Sequence, residues 1–108
     1  MDDDAHAYQG IDEIIHGRVR LAVMAYLSGA GSADFRTLRE RTGGTDGNLS
    51  VHLRKLEDAG YVSIDKRFED RRPVTRATMT DAGRTAWIDY LDRMRALLFA
   101  DDPGPDER

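Results

Sequence analysis

Residues Phe35 to Thr80 run FRTLRER, TGGT, DGNLSVHLRKLEDAG, YVSIDKRF, EDRRP and VTRATMT in unbroken succession. Thr42-Gly43-Gly44-Thr45 stands between two helical patterns, and its glycines supply the positive φ that a tight interhelix corner requires. Thr45 or Asp46 can cap the helix that follows, because a short side-chain oxygen accepts from an orphan N–H of the first turn. Leu49, Leu53 and Leu56 recur four and three residues apart, the buried stripe of a helix over 46–59. Gly60 ends that helix as the left-handed residue beyond its C-cap. Val62 and Ile64 then alternate as in a strand that extends to Phe68. Glu69 to Pro73 reads as a turn, and Val74 to Met79 as a β-branched return strand. The order is helix, tight turn, helix, and then a β-hairpin tipped with arginine.

Outside this stretch the pattern is helical. Apolar residues at Ile11, Ile14, Ile15, Val19, Ala22, Val23, Tyr26 and Leu27 have helical spacing, and Gly17 divides a short leader from a main helix. Ser28 to Ser32 has the composition of a loop. Phe35 to Arg41 predicts a short helix with Leu38 inward, entered from a few extended residues. Thr80 or Asp81 caps a last helix whose stripe is Ile88, Leu91, Met94 and Leu98, with Trp87 alongside. The chain therefore divides into an acidic flexible tail over 1–10, one domain over 11–100 and a second flexible tail over 101–108. The fold class is mainly α with a small β-hairpin.

With 108 residues, 33% charged and 40% hydrophobic, the chain suits one folded domain rather than a disordered segment. No apolar run approaches the length of a membrane span. The start, MDDDAHAYQG, lacks the basic and apolar regions of a secretory signal. The absence of cysteine excludes disulfides and thiolate metal sites and suits the cytoplasm. The net charge is −4, which looks unsuited to an anionic partner. Its distribution is uneven, however: residues 35–76 hold ten basic and seven acidic side chains, while the rest of the chain holds six and thirteen. A polyanion responds to the local field rather than to the total.

The second helix of such a pair can lay its N-terminal half in the major groove of double-stranded DNA, where short or polar side chains let the backbone approach. Asp46, Gly47, Asn48 and Ser50 meet that need. Asn48 can bond an adenine edge, Ser50 a base or a phosphate, and Val51 can touch a thymine methyl. Asp46 can cap the helix or accept from a cytosine amino group. Arg54 and Lys55 follow one turn on, placed for phosphate or guanine. At the hairpin tip Arg71 and Arg72 can enter a narrow minor groove or bind phosphate, and Arg76 can add a backbone contact. His52 adjoins the leucine stripe and reads as a packed or phosphate-facing histidine rather than a metal ligand. Glu57-Asp58 and Glu69-Asp70 fall on exposed faces or turns, and no phosphate loop, H-E-x-x-H or G-x-S-x-G occurs, so an enzyme is not expected.

TDGNLSVHLRKLEDAGYV followed by DRRPVTRATMTDAGR resembles the winged helix-turn-helix transcriptional regulators of the MarR/ArsR type. The resemblance is strongest to the small winged helix DNA-binding domain regulators of bacteria and archaea, and HGRVRLAVMAYL resembles their opening helix. It covers about residues 11–98. It implies a homodimer on a pseudo-palindromic operator, usually as a repressor. It also implies that Thr45, Asn48, Ser50, Val51, Arg54 and Lys55 lie on the recognition helix, and Arg71 and Arg72 on the wing. The chain departs from metal-sensing members in having no cysteine and only His6, His16 and His52, widely spaced, so neither metal nor cofactor is expected. It is shorter than typical MarR members, which leaves the first and last helices to form any dimer interface or pocket for an unknown small effector.

Dimerisation also has a basis in the residues. Two modules related by symmetry read half-sites about one helical turn apart. The last helix carries more apolar surface than a small core needs, so Trp87, Ile88, Leu91, Met94 and Leu98 are expected at a dimer interface with Ile11, Ile14 and Ile15. The competing reading is a winged-helix module that binds protein and not DNA, which the overall acidity favours and the arginine tip opposes.

Overall fold

The computed structural model describes residues 10–99. In chain order these form α1 (Arg18–Ala30), β1 (Ser32–Asp34), α2 (Phe35–Thr42), α3 (Asp46–Asp58), β2 (Val62–Glu69), β3 (Arg72–Met79) and α4 (Asp81–Leu98). The three strands form one antiparallel sheet in the order β1-β3-β2. The architecture is a winged helix-turn-helix: α2 and α3 form the helical pair, and β2 with β3 forms the wing.

Three helices start on side-chain caps. Asp34 accepts from the Thr37 amide at 2.7 Å, Thr45 from Asn48 at 3.1 Å, and Thr80 from Gly83 at 2.9 Å. Each such cap contributes about 1 kcal/mol by satisfying a donor that the helix cannot. Between the two candidates at each site, the threonine caps and the aspartate occupies the first helical position. At the other end of α3, Gly60 has φ 84°, its amide donates to Glu57 and that of Tyr61 donates to Leu56. That pair of bonds closes the helix and turns the chain into β2.

The core joins every element. Val23, Met24 and Leu27 of α1, Leu38 of α2, Leu49, Leu53 and Leu56 of α3, and Val62, Ala77 and Met79 of the sheet are all buried. The wing register places Val62 opposite Met79 and Ile64 opposite Ala77. The apolar face of the hairpin root is thereby shut against the helices, and its far end projects outward.

Three details differ from the sequence reading. Ser28, Gly29 and Ala30 continue α1, and the break comes at Gly31, where φ is 82°. The leader before Gly17 is a turn rather than a helix: the Asp12 carboxylate accepts from the amides of Ile14 and Ile15, and Gly17 is extended. A side chain that offers the backbone such bonds competes with the helix. Finally, Glu69, Arg72 and Pro73 belong to the strands, so the turn is only Asp70-Arg71, with φ of 52° and 67°. Positive φ at both central residues is the hairpin geometry whose twist matches the strands.

Candidate nucleic-acid interface

The leucine stripe of α3 faces the core, which leaves Asp46, Gly47, Asn48, Ser50, Val51, Arg54 and Lys55 exposed. Val51 is 55% exposed, an apolar side chain set among polar ones. Thr45 is exposed, and its hydroxyl is engaged as the cap. Asp46 is held from α2 by Arg39, with N–O 2.7 Å, which directs its carboxylate toward the helix pair. That hydrogen bond and the charge of Asp46 raise the affinity of the Arg39 guanidinium for its proton.

Between α3 and the wing lies a groove of about 230 Å³, lined on one side by Ser50, Arg54 and Glu57 and on the other by Lys66 and Thr75. The helix and the hairpin are therefore two walls of one surface. Along the wing the side chains alternate. One face carries Val62, Ile64, Lys66 and Phe68 and continues the walls of this groove. The other carries Asp65, Arg67 and Glu69, and Arg67 pairs with both acids. Arg71 sits at the exposed tip and Arg72 opposite Glu69. Arg76 lies back on the central strand, with Asp65 beside it on β2 and Asp34 beside it on β1. The Asp34 carboxyl is held below its ordinary range first by its hydrogen bonds with Thr37, with the charges of Arg76 and Arg36 adding to the effect.

Behind α3 is a polar strut that the sequence pattern does not reveal. Arg20 on α1 donates Nε–H to the Ile14 carbonyl at 2.5 Å, and its Nη1 lies 2.8 Å from Nδ1 of His52. A guanidinium only donates, so His52 accepts through Nδ1 and is neutral in this arrangement. Burial lowers the His52 pKa, and the charges of Arg20 and Lys55 lower it further. The leader is pinned a second time where Tyr61 donates to Asp12 at 2.5 Å, and His16 Nδ1 lies 2.9 Å from the Tyr90 hydroxyl. These partners lie 32, 49 and 74 residues apart in the chain, so no local spacing could have signalled them.

The residues expected at a dimer interface fall into two groups. Ile11, Ile15 and Trp87 are buried within the single chain, where Trp87 stacks on Tyr90 with centroids 5.8 Å apart. Their apolar surface is consumed by the chain's own core. Ile14 and Met94 are half-buried, while Ile88, Leu91 and Leu98 are exposed, as is Phe99 beyond the helix. A cavity of about 330 Å³ lies between the leader and α4, lined by Ile11, Glu13, His16, Met94 and Leu97. Among the described residues no group of three or more potential ligands is gathered for a metal ion, and no helix is long and apolar enough to cross a membrane.

The family model described as "Winged helix DNA-binding domain" matches residues 19–98, and the chain belongs to that family. An uncharacterised protein of Methanocaldococcus jannaschii is 37% identical over 79 residues, covering 73% of this chain and 86% of the relative. Among solved structures, the chain is similar to a transcriptional regulator homologue from Pyrococcus horikoshii OT3, with TM-score 0.82 and 29% identity over 94% of this chain and 99% of that one. A MarR-family transcriptional regulator from Silicibacter pomeroyi shares the fold, with TM-score 0.64 and 23% identity over 97% of this chain and 71% of that one. The family is one of winged helix DNA-binding domains, and the fold is that of the transcriptional regulator homologue from Pyrococcus horikoshii OT3.

Proposed function

We propose that the protein is a sequence-specific, homodimeric transcriptional repressor that lays α3 in the major groove and the wing on flanking DNA. The observation that carries this reading is the outward face of α3. Asn48, Ser50, Val51, Arg54 and Lys55 are all exposed there, on a helix whose opposite face is fixed by three buried leucines. Asn48, Ser50 and Val51 read base edges, and Arg54 and Lys55 neutralise phosphates or reach guanine. Arg71 and Arg72 extend the contact along the backbone, and Arg76 supports them from the central strand. The exposed Ile88, Leu91 and Leu98 support a second copy docking along α4, since contiguous exposed apolar surface marks an association site. Repression follows physically from occupancy, because a dimer seated on a promoter excludes the polymerase. The cavity between the leader and α4 is at the small end of the range for ligand sites and lies beside the proposed dimer face, so an effector bound there would alter the spacing of the two modules.

A mobility shift across a salt series, with DNA upstream of the protein's own gene, tests the reading. Saturable, competitor-resistant binding with a two-fold symmetric footprint supports it, and the affinity should fall steeply as salt rises. Leu91→Glu with Leu98→Glu should then halve the mass in sedimentation and abolish the symmetric footprint. Binding no better than to a random duplex would favour the protein-interaction module that the chain's overall acidity suggests.

A further inference from the structure

Phe68 is 77% exposed, the most exposed large apolar side chain among the described residues. It sits on the wing opposite Pro73, so a phenyl ring and a pyrrolidine ring stand together just short of the Asp70-Arg71 turn. An apolar pair left in water at the end of a charged hairpin contributes nothing to the core, which closes at Val62, Ile64, Ala77 and Met79. Its surroundings indicate what would cover it. On β2 the strand face that carries Phe68 holds no acid: the residues before it are Lys66, Ile64 and Val62. The wing acids Asp65 and Glu69 point to the opposite face, where Arg67 pairs with both. Lys66 and Arg71 lie on either side of Phe68 in the chain, both exposed, and the acid nearest the ring that Arg67 does not pair is Asp70, which stands beside Arg71 in the turn beyond the strand face.

We infer that Phe68, backed by Pro73, is an apolar DNA contact that lies against the deoxyribose wall of the minor groove beside the site occupied by α3. The inference rests on the DNA-binding reading above and adds to it a contact that is not electrostatic. An apolar ring between two cations matches one partner in particular. Phosphates take the cations, and the sugars between the phosphate rows present the main apolar surface of duplex DNA outside the major groove. Apolar side chains set at a minor groove are a recurrent way of gripping or bending a duplex. The wing face that bears Phe68 also continues into the groove shared with Ser50 and Arg54, so the ring and the α3 surface meet one ligand from adjoining walls.

The test uses the full chain and the duplex that the wild-type protein enriches from a randomised pool. Affinity is measured for wild type, Phe68→Ala, Phe68→Leu and Arg71→Ala over a range of salt, with mass by sedimentation and thermal melting as the folding control. Losing half the burial of one ring should weaken Phe68→Ala about tenfold at every salt concentration with no change in salt slope. Phe68→Leu, which keeps apolar bulk, should recover most of the loss. Arg71→Ala should instead flatten the slope by about one unit. The inference is overturned if Phe68→Ala binds like wild type while wild type binds DNA, or if its loss appears only as a change of slope. It is equally overturned if the variant changes the mass of the assembly, which would assign Phe68 to a contact between copies. Failure of the wild-type protein to enrich any duplex would remove the DNA-binding reading and this inference together.

Discussion

Replacing Arg71 by glycine should make the protein more stable and a poorer DNA binder. Arg71 has φ 67° in a two-residue turn whose other member, Asp70, has φ 52°. The left-handed region costs an L-residue roughly 1–2 kcal/mol, because Cβ crowds the neighbouring carbonyl. Asparagine, aspartate and glycine bear this well, and arginine does not. Glycine removes the steric cost but gives back about 0.5–1 kcal/mol through the greater freedom of the unfolded chain. The net gain expected for Arg71→Gly is thus about 0.5–1 kcal/mol. In a domain of this size that raises the melting temperature by a few degrees, at about 4–8 °C per kcal/mol. Arg71→Ala is the necessary companion, since it removes the same charge and keeps the strained φ, so its melting temperature should stay near wild type. Both variants should lose the same phosphate contact and flatten the salt dependence of DNA binding by about one unit. Calorimetric melting and a salt-series titration read the two effects separately. Equal stability of the glycine and alanine variants would refute the strained turn. Stability gained without any loss of binding would refute the view that the arginine is kept at the tip for DNA.

Three further outcomes follow from the packing behind the interface. Gly83, in the first turn of α4, has the Tyr61 carbonyl where a Cβ would be, so Gly83→Ala should destabilise by about 1–3 kcal/mol in denaturant melts while Gly29→Ala, which meets nothing, should not destabilise. The Tyr61 phenol is pushed up to about 12, first by its hydrogen bond to Asp12 and then by burial. The fold therefore holds a proton that the unfolded chain releases near 10, so the stability from this pair is complete below pH 10 and lost as pH rises toward 12. Asp12→Asn should return the phenol titration, followed by near-ultraviolet absorbance, toward its ordinary value. His52 has the opposite sense, since its pKa is lowered and the unfolded chain takes up the proton first. Stability should fall as pH drops below about 6.5, and Arg20→Gln, which keeps a donor but removes the charge, should lessen that acid loss in melts across the range.

What the sequence disclosed was local. The helix pair and the hairpin were legible because their signals sit within a few residues of one another: two glycines at a corner, leucines at four and three, and Gly60 past a helix end. The wing turn is shorter than its sequence suggests because Asp70-Arg71 lacks the glycine or asparagine that advertises a two-residue turn. The true boundary is set by Phe68 pairing with Pro73 and Glu69 with Arg72, which is a property of two strands together. The leader has the apolar spacing of a helix at Ile11 and Ile15 without being one. They reach the same core through an Asp12 turn that depends on Tyr61, far along the chain. For the same reason an apolar stripe could place Trp87 and Leu91 on the last helix but not show which of them the chain itself covers. Tertiary packing gives Trp87 to Tyr90 and leaves Leu91 outside.

The pairing of charges explains how an acidic chain can present a basic face. Within residues 35–76 the acids are not spread evenly around the cations. Glu40 is paired with Arg36, Asp46 with Arg39, and both Asp65 and Glu69 with Arg67, all on exposed positions. Pairs of this kind contribute only about 0–1 kcal/mol each to stability, so stability is a weak account of why four acids are arranged this way. Their electrostatic effect is larger, because each pair behaves as a local dipole and cancels at a distance. What remains uncancelled on the shared surface of α3 and the wing is Arg54, Lys55, Lys66 and Arg71, against Glu57 in the groove, Asp58 at the end of α3 and Asp70 in the wing turn, while Arg72, opposite Glu69, adds its charge from the other wing face. Attraction to a polyanion falls off within about a Debye length, roughly 8 Å in physiological salt. Over that distance an approaching duplex meets this surface, while the acids of the rest of the chain contribute little. Replacing Arg67 by methionine should release Asp65 and Glu69 into that field and weaken DNA binding, although Arg67 lies on the wing face turned away from α3.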